Sequence, residues 1–212
     1  MGRPGVSTGR SNAGESPVLK ALSQVAADER VRAAEAAVRE ACGELRWNEA
    51  LRRRWREARA EAAIRGAIAS GGVEGAVVSA EVLREHVAAG SLTEAATGDP
   101  GLDAVAGLWR AGSRLVGWMP DLVGRGRPMV PPARSLLAVL HRDVAGPLAA
   151  GGRVGLEEVG VPRTGRIRVR EGGPGAAPQE EELAARLEGL LELIEAERAP
   201  ALVRAAIVHA EM

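Results

Sequence analysis

The sequence predicts a mainly α fold, a helical bundle with one short β-hairpin or strand. Three observations carry this. The apolar residues, 46% of the 212, include no Phe and no Tyr, so the core is built from Ala, Leu and Val around four tryptophans. Ala and Leu lose little conformational freedom in a helix and are strong helix formers. Apolar positions recur at helical spacing along most of the chain, and only Ile167 and Val169, alternating with Arg166, Arg168 and Arg170, show the period of two of a strand.

Residues 1–15, rich in Gly, Ser and Arg, are expected to form a disordered tail. Ser16 and Pro17 then read as an N-cap and the first helical position. Helical signal runs from Val18 to Ile68. Val31, Ala34, Val38, Leu45 and Leu51 form an apolar stripe, and Gly43 is the expected divide between two helices. The stretch ASGGVEGAVVS interrupts the pattern, since Gly71 and Gly72 each cost about 1 kcal/mol in a helix interior. Ser79 caps the helix AEVLREHVAA, which ends at Gly90. The loop SLTEAATGDPG leads to a helix over LDAVAGLWRAGSRLVGWM, a Pro- and Arg-rich connector, and a helix over ARSLLAVLHRDVAGPL. VGVPRTGRIRVREGG holds the strand, GGPGAAP is a loop, and QEEELAARLEGLLELIEAE and PALVRAAIVHAEM are two closing helices. The expected organisation is the tail 1–15, an N-terminal helical region 16–90 and a second region 91–212.

Twenty-eight acidic and 28 basic residues give zero net charge, which argues against attraction of the whole domain to nucleic acid or anionic lipid. Lys20 is the only lysine, an arginine bias that fits GC-rich codon usage. Cys42 is alone, so neither a disulfide framework nor a cysteine zinc site is expected. The N-terminus lacks the apolar core of a signal peptide, and no run of about 18 apolar residues occurs, so the expected location is cytoplasmic with no membrane partner.

Motifs for common cofactors are missing. No GxxxxGK[ST] occurs, and GRGRPM at 124–129 carries two glycines of a dinucleotide turn and then departs from it. His86, His141 and His209 stand far apart and read as structural or surface groups rather than metal ligands. Arg125–Pro128, RGRP, matches the core of a minor-groove hook, but Val123, Met129 and Val130 flank it where further basic residues are needed, so it reads as a loop. Arg52, Arg53, Arg54 and Arg56 surround Trp55 and read as a solvated face whose stems cover the indole.

Ser70-Gly71-Gly72-Val73-Glu74-Gly75 fits the pattern [S/T]xxxE[G/N] and follows a long helix rich in Arg and Ala. It resembles the inhibitory-helix motif of the Fic (Fido-domain) family, in the form carried by actinobacterial Fic-like proteins. That family transfers AMP from ATP to hydroxyls of target proteins. LLAVLHRDVAGPL is similar to an early helix of the family core. GVPRTGRIRVR resembles the flap that docks an extended target peptide, with Arg163, Gly165, Arg166, Ile167 and Val169 at the matching positions. The closing helices, with Ala205, Ala206 and His209, resemble the pair that leads to the catalytic loop.

The resemblance implies that Ser70, Glu74 and Gly75 form an inhibitory motif, that Glu74 pairs with the last arginine of an HPFx[DE]GNGRxxR loop, and that Gly71 and Gly72 are close-packing positions. In the family that loop supplies the base, the phosphate cradle and a Mg²⁺ ligand. It is absent from these 212 residues, so the expectation is an incomplete, truncated Fic-like bundle with no catalytic residue and no AMP transfer of its own. ATP and Mg²⁺ are implied for a complete family member, and no cofactor for this chain. Expected partners are a protein target or a Fic-type partner chain. Self-association through a partly bare face of Leu187, Leu190, Leu191 and Ile194 is a further expectation. Two other readings are an antitoxin-like regulator of a Fic partner and a helical nucleic-acid-binding protein using Arg52–Arg56 and the RGRP loop, the latter disfavoured by the charge balance.

Overall fold

The computed structural model describes residues 16–93, 95–119, 129–163, 178, 180–197 and 199–211. The described residues are mainly helical. Eight helices follow in order: α1 (Pro17–Ala27), α2 (Glu29–Trp47), α3 (Glu49–Val73), α4 (Ala80–Ala88), α5 (Pro100–Trp118), α6 (Ala133–Ala150), α7 (Glu180–Glu195) and α8 (Ala201–Glu211), with a 3₁₀ turn at Leu156–Glu158 after α6. No strand occurs among the described residues. The expected tail, the RGRP loop and the expected strand at Ile167 and Val169 lie outside them.

Short polar side chains set the helix starts. The Ser16 hydroxyl accepts from the Val18 N–H at 3.2 Å, and the Ser79 hydroxyl accepts from the Val82 N–H at 3.2 Å, satisfying donors that the first turn leaves unpaired. Asp99 does the same for Gly101 and Leu102 at 2.7 and 3.0 Å, ahead of Pro100 at the first helical position. The divide expected at Gly43 is not there: Gly43 lies inside α2, and the breaks fall at Asp28 and Asn48. Their carboxylate and amide oxygens accept from Arg30 at 2.9 Å and from Ala50 and Leu51 at 3.1 and 3.3 Å. Such local bonds compete with the helix ladder more effectively than one glycine weakens it.

Contacts divide the described residues into two compact units, one from 1–36 and 184–212 and one from 37–183. In the first unit Leu22, Leu193 and Val203 form the core, with Val18, Leu19 and Ile207 packed on it. The Ser16 hydroxyl donates to Glu192 at 2.8 Å, and Arg204 donates to the Ile194 carbonyl at 2.8 Å. Of the face expected to be partly bare, Leu191 is buried, while Leu187, Leu190 and Ile194 are half-buried. In the second unit Ile64 and Ala67 of α3, Leu83 of α4, and Leu102 and Val105 of α5 form one core. The boundary expected at residue 90 runs through this cluster, because the apolar faces on both sides of it bury each other.

Helix α3 is tied to α4 by charge. Glu61 accepts from Arg84 at 2.6 Å and from Arg65 at 2.8 Å. The Arg84 hydrogen bond first, and the Arg65 one second, hold the Glu61 carboxyl at about 2 against an ordinary 4.5. The folded value lies below the unfolded one, so this link stabilises fully above pH 4.5 and is lost as pH falls towards 2. Glu61→Gln is therefore expected to melt below wild type at pH 6 and to match it at pH 2. A difference that persists unchanged at pH 2 would assign the effect to packing instead.

Candidate functional site

Of the residues that the sequence singles out, Ser70, Glu74 and Gly75 lie together at the C-terminal end of α3. Glu74 is its C-cap, and Gly75 follows with φ +84°, the left-handed conformation that glycine takes without strain. The Gly75 N–H donates to the Gly72 carbonyl at 3.1 Å and the Ala76 N–H to the Gly71 carbonyl at 2.8 Å. This paired closure ends a helix sharply and satisfies its last carbonyls. Gly90 and Gly152 close α4 and α6 in the same way, with φ +64° and +72°.

The glycine pair splits by role. A Cβ at Gly71 would stand 2.6 Å from Val105 Cγ2, so Gly71 lets the end of α3 lie close on α5. Gly72 has nothing within 4 Å of such a Cβ and is not the close-packing position the resemblance implied. Ser70 is exposed, and its carbonyl accepts from the Glu74 N–H at 3.4 Å. Glu74 is exposed too, and among the described residues its carboxylate makes no hydrogen bond or ion pair. Val73 and Val77, on either side, are 85% and 94% exposed. The turn therefore presents an acidic group between two apolar ones, at the helix end where the backbone dipole is already negative.

Of the expected flap, Arg163 alone is described. Its guanidinium donates to the Pro178 carbonyl at 2.7 Å. Gly165, Arg166, Ile167 and Val169 lie outside the described residues. Ala205, Ala206 and His209 are exposed on α8. His141 accepts the Gly160 N–H through Nδ1 at 2.8 Å, and His86 Nδ1 stands 2.8 Å from the Ser91 hydroxyl. Among the described residues no cluster of His, Cys, Asp or Glu could hold a metal ion, and no helix is long and apolar enough to cross a membrane.

Two buried carboxylates escaped the sequence reading. Asp143 of α6 takes a two-pronged contact from Arg114 of α5, with Arg114 Nε to Oδ2 and Nη2 to Oδ1 at 2.7 Å, and Arg110 stands 3.6 Å from Oδ1. Asp103 accepts from the Thr97 N–H and hydroxyl at 2.6 and 2.7 Å, fixing the loop before α5. Both acids sit in helices that read as apolar, and their partners become visible only once those helices are in register.

The arginine cluster is also arranged differently from expectation. Arg56 and Arg59 cover the Trp55 ring at 5.0 and 4.7 Å, and Arg52 stands over Trp47 at 5.9 Å. Arg53 instead pairs with Glu49 at 2.9 Å, and Arg54 pairs with Glu57. Comparison with family models, curated proteins and solved structures gives no match.

Proposed function

We propose that this chain is a non-catalytic, regulatory component of a Fic-type AMP-transfer system, and that Glu74 is the group through which it restrains transfer. The observation that carries this reading is the exposed Glu74 carboxylate at the closed end of α3, with no bonding partner among the described residues. A negative group at a helix C-terminus costs about 0.3–1 kcal/mol against the backbone dipole. Helix stability therefore gives no reason for an acid there, whereas a cationic partner does. The resemblance names that partner as the last arginine of HPFx[DE]GNGRxxR. Arginine meets a carboxylate with two parallel hydrogen bonds, which fixes direction as well as strength. The 212 residues contain no Phe, so they hold no HPF loop of their own.

The test is labelled AMP transfer with Mg²⁺ and ATP. The chain alone is expected to leave no label on itself or on a lysate. Added to an active transferase carrying the HPFx[DE]GNGRxxR loop, it is expected to lower the labelling of that enzyme's target, and Glu74→Gln is expected to abolish the effect. Labelling by the chain alone, or equal restraint by Glu74→Gln, would overturn the reading. The same substitution is expected to leave melting unchanged or to raise stability by up to about 1 kcal/mol, by removing charge from the helix end. A clear loss of stability would make Glu74 a structural group.

A further inference from the structure

We infer that the junction of α2 and α3 is a binding surface for single-stranded nucleic acid. This inference is independent of the Fic-type reading. From Arg46 to Arg59 the chain carries six arginines and two glutamates, a local excess of four positive charges in a molecule of zero net charge. The charge balance that argues against nucleic acid for the whole domain therefore conceals a segment that favours it. The two glutamates are engaged by Arg53 and Arg54, while Arg52, Arg56 and Arg59 lie against indole rings.

Arginine stems covering a tryptophan account for Trp55, which is half-buried under two of them. They do not account for Trp47, which is 73% exposed with a single guanidinium at 5.9 Å over its ring. An indole in water gains no burial energy for the fold, and large aromatic residues are rarely left so open. What an open indole among guanidinium groups does offer is a face for stacking and cations for phosphates. Proteins that hold unpaired strands combine these two elements. A duplex cannot use the stacking face, because its bases are already stacked on one another. The side chains sit on one stretch of chain around Asn48, whose amide caps α3, so helix geometry holds the platform. Arg54, with φ −123° and ψ 25°, breaks the helical path between Trp47 and Trp55 and sets the two rings on differently directed segments.

The test uses the full chain and fluorescein-labelled U₂₀ and dT₂₀ in an anisotropy titration at about 50 mM salt, where phosphate contacts are strong. Micromolar binding with quenching of tryptophan emission is expected. The affinity is expected to fall with salt at a log–log slope of about −2 to −3, for three or four phosphates contacted. Trp47→Ala is expected to lose on the order of 5- to 100-fold in affinity at unchanged salt slope, with Trp47→Phe recovering most of it. Arg52→Ala and Arg59→Ala are each expected to flatten the slope by about one. Trp47 is exposed, so an unchanged circular dichroism spectrum is expected to show that its variants fold. A matched duplex is expected to bind more weakly than the single strand. Absence of oligonucleotide binding at 50 mM salt would overturn the inference. So would binding indifferent to Trp47→Ala, a duplex bound as tightly as the single strand, or retention on phosphatidylserine vesicles in place of the oligonucleotide.

Discussion

Asp143→Ala is expected to cost about 3–5 kcal/mol, read from urea denaturation followed by helical circular dichroism. Asp143 is 2% exposed, and its two oxygens face the guanidinium groups of Arg114 and Arg110 across the contact between α5 and α6. Placing that carboxylate out of water costs several kcal/mol, which its attraction to the two arginines offsets while the geometry is intact. Removing the acid takes a close anion from Arg110, whose side chain is 13% exposed, and breaks the two-pronged contact of Arg114. A typical domain has 5–15 kcal/mol in total, so this single change removes a large part of it. The charge pair is not the same thing as the stability. Asp143→Leu combined with Arg110→Met and Arg114→Met, which replaces the acid and both of its cations with apolar volume, is expected to recover most of the loss. Asp143→Asn tests the charge alone: it keeps the volume but offers an amide N–H where the guanidinium also donates, so it is expected to fall between wild type and Asp143→Ala. A cost below 1 kcal/mol for Asp143→Ala would show that water reaches this pair.

The features legible in the sequence are those decided within a few residues. Ser16 before Pro17, Ser79 before an amphipathic run, and glycine at 90 each act through bonds to backbone groups two to five residues away, and the structure has each in its expected place. The expected divide at Gly43 and the observed break at Asn48 set two local rules against each other. A glycine among good helix formers costs about 1 kcal/mol, whereas the Asn48 side chain satisfies two donors of the next helix at once. Asp143 and Arg114 lie 29 residues apart, and no spacing rule joins them until the register of α5 on α6 is known. The candidate site divides along the same line. Glu74 and Gly75 form one turn, and the interruption expected at Gly71 and Gly72 falls there instead, after the helix has run on to Val73. The exposure of Val73, Val77 and Trp47 was not legible, since it depends on what the rest of the fold leaves uncovered.

Gly107→Ala is expected to destabilise by about 2 kcal/mol, and Gly107→Val by more. A Cβ at Gly107 would stand 2.2 Å from the carbonyl oxygen of Val144 and 2.8 Å from its carbonyl carbon. Both atoms belong to the backbone of α6, so no side chain can turn aside, and α5 must move off α6 or distort. Overpacking of this kind costs about 1–3 kcal/mol, and more where backbone is displaced. Alanine also improves helix propensity by up to about 1 kcal/mol, with the opposite sign. Gly112 separates the two effects. It lies on the same helix, five residues on, and a Cβ there would meet nothing within 4 Å. Gly112→Ala is therefore expected to stabilise by up to about 1 kcal/mol, from propensity alone. Opposite signs for two alanine substitutions in one helix are the result that the close crossing requires; a gain at both sites would show that α5 and α6 stand further apart. The wedge acts beside Val144, the neighbour of Asp143, so Gly107→Ala and Asp143→Ala disturb one contact between helices. Their combined loss is expected to be smaller than the sum of the two, because α5 and α6 already pushed apart no longer press Arg110 and Arg114 against the site that Asp143 occupied.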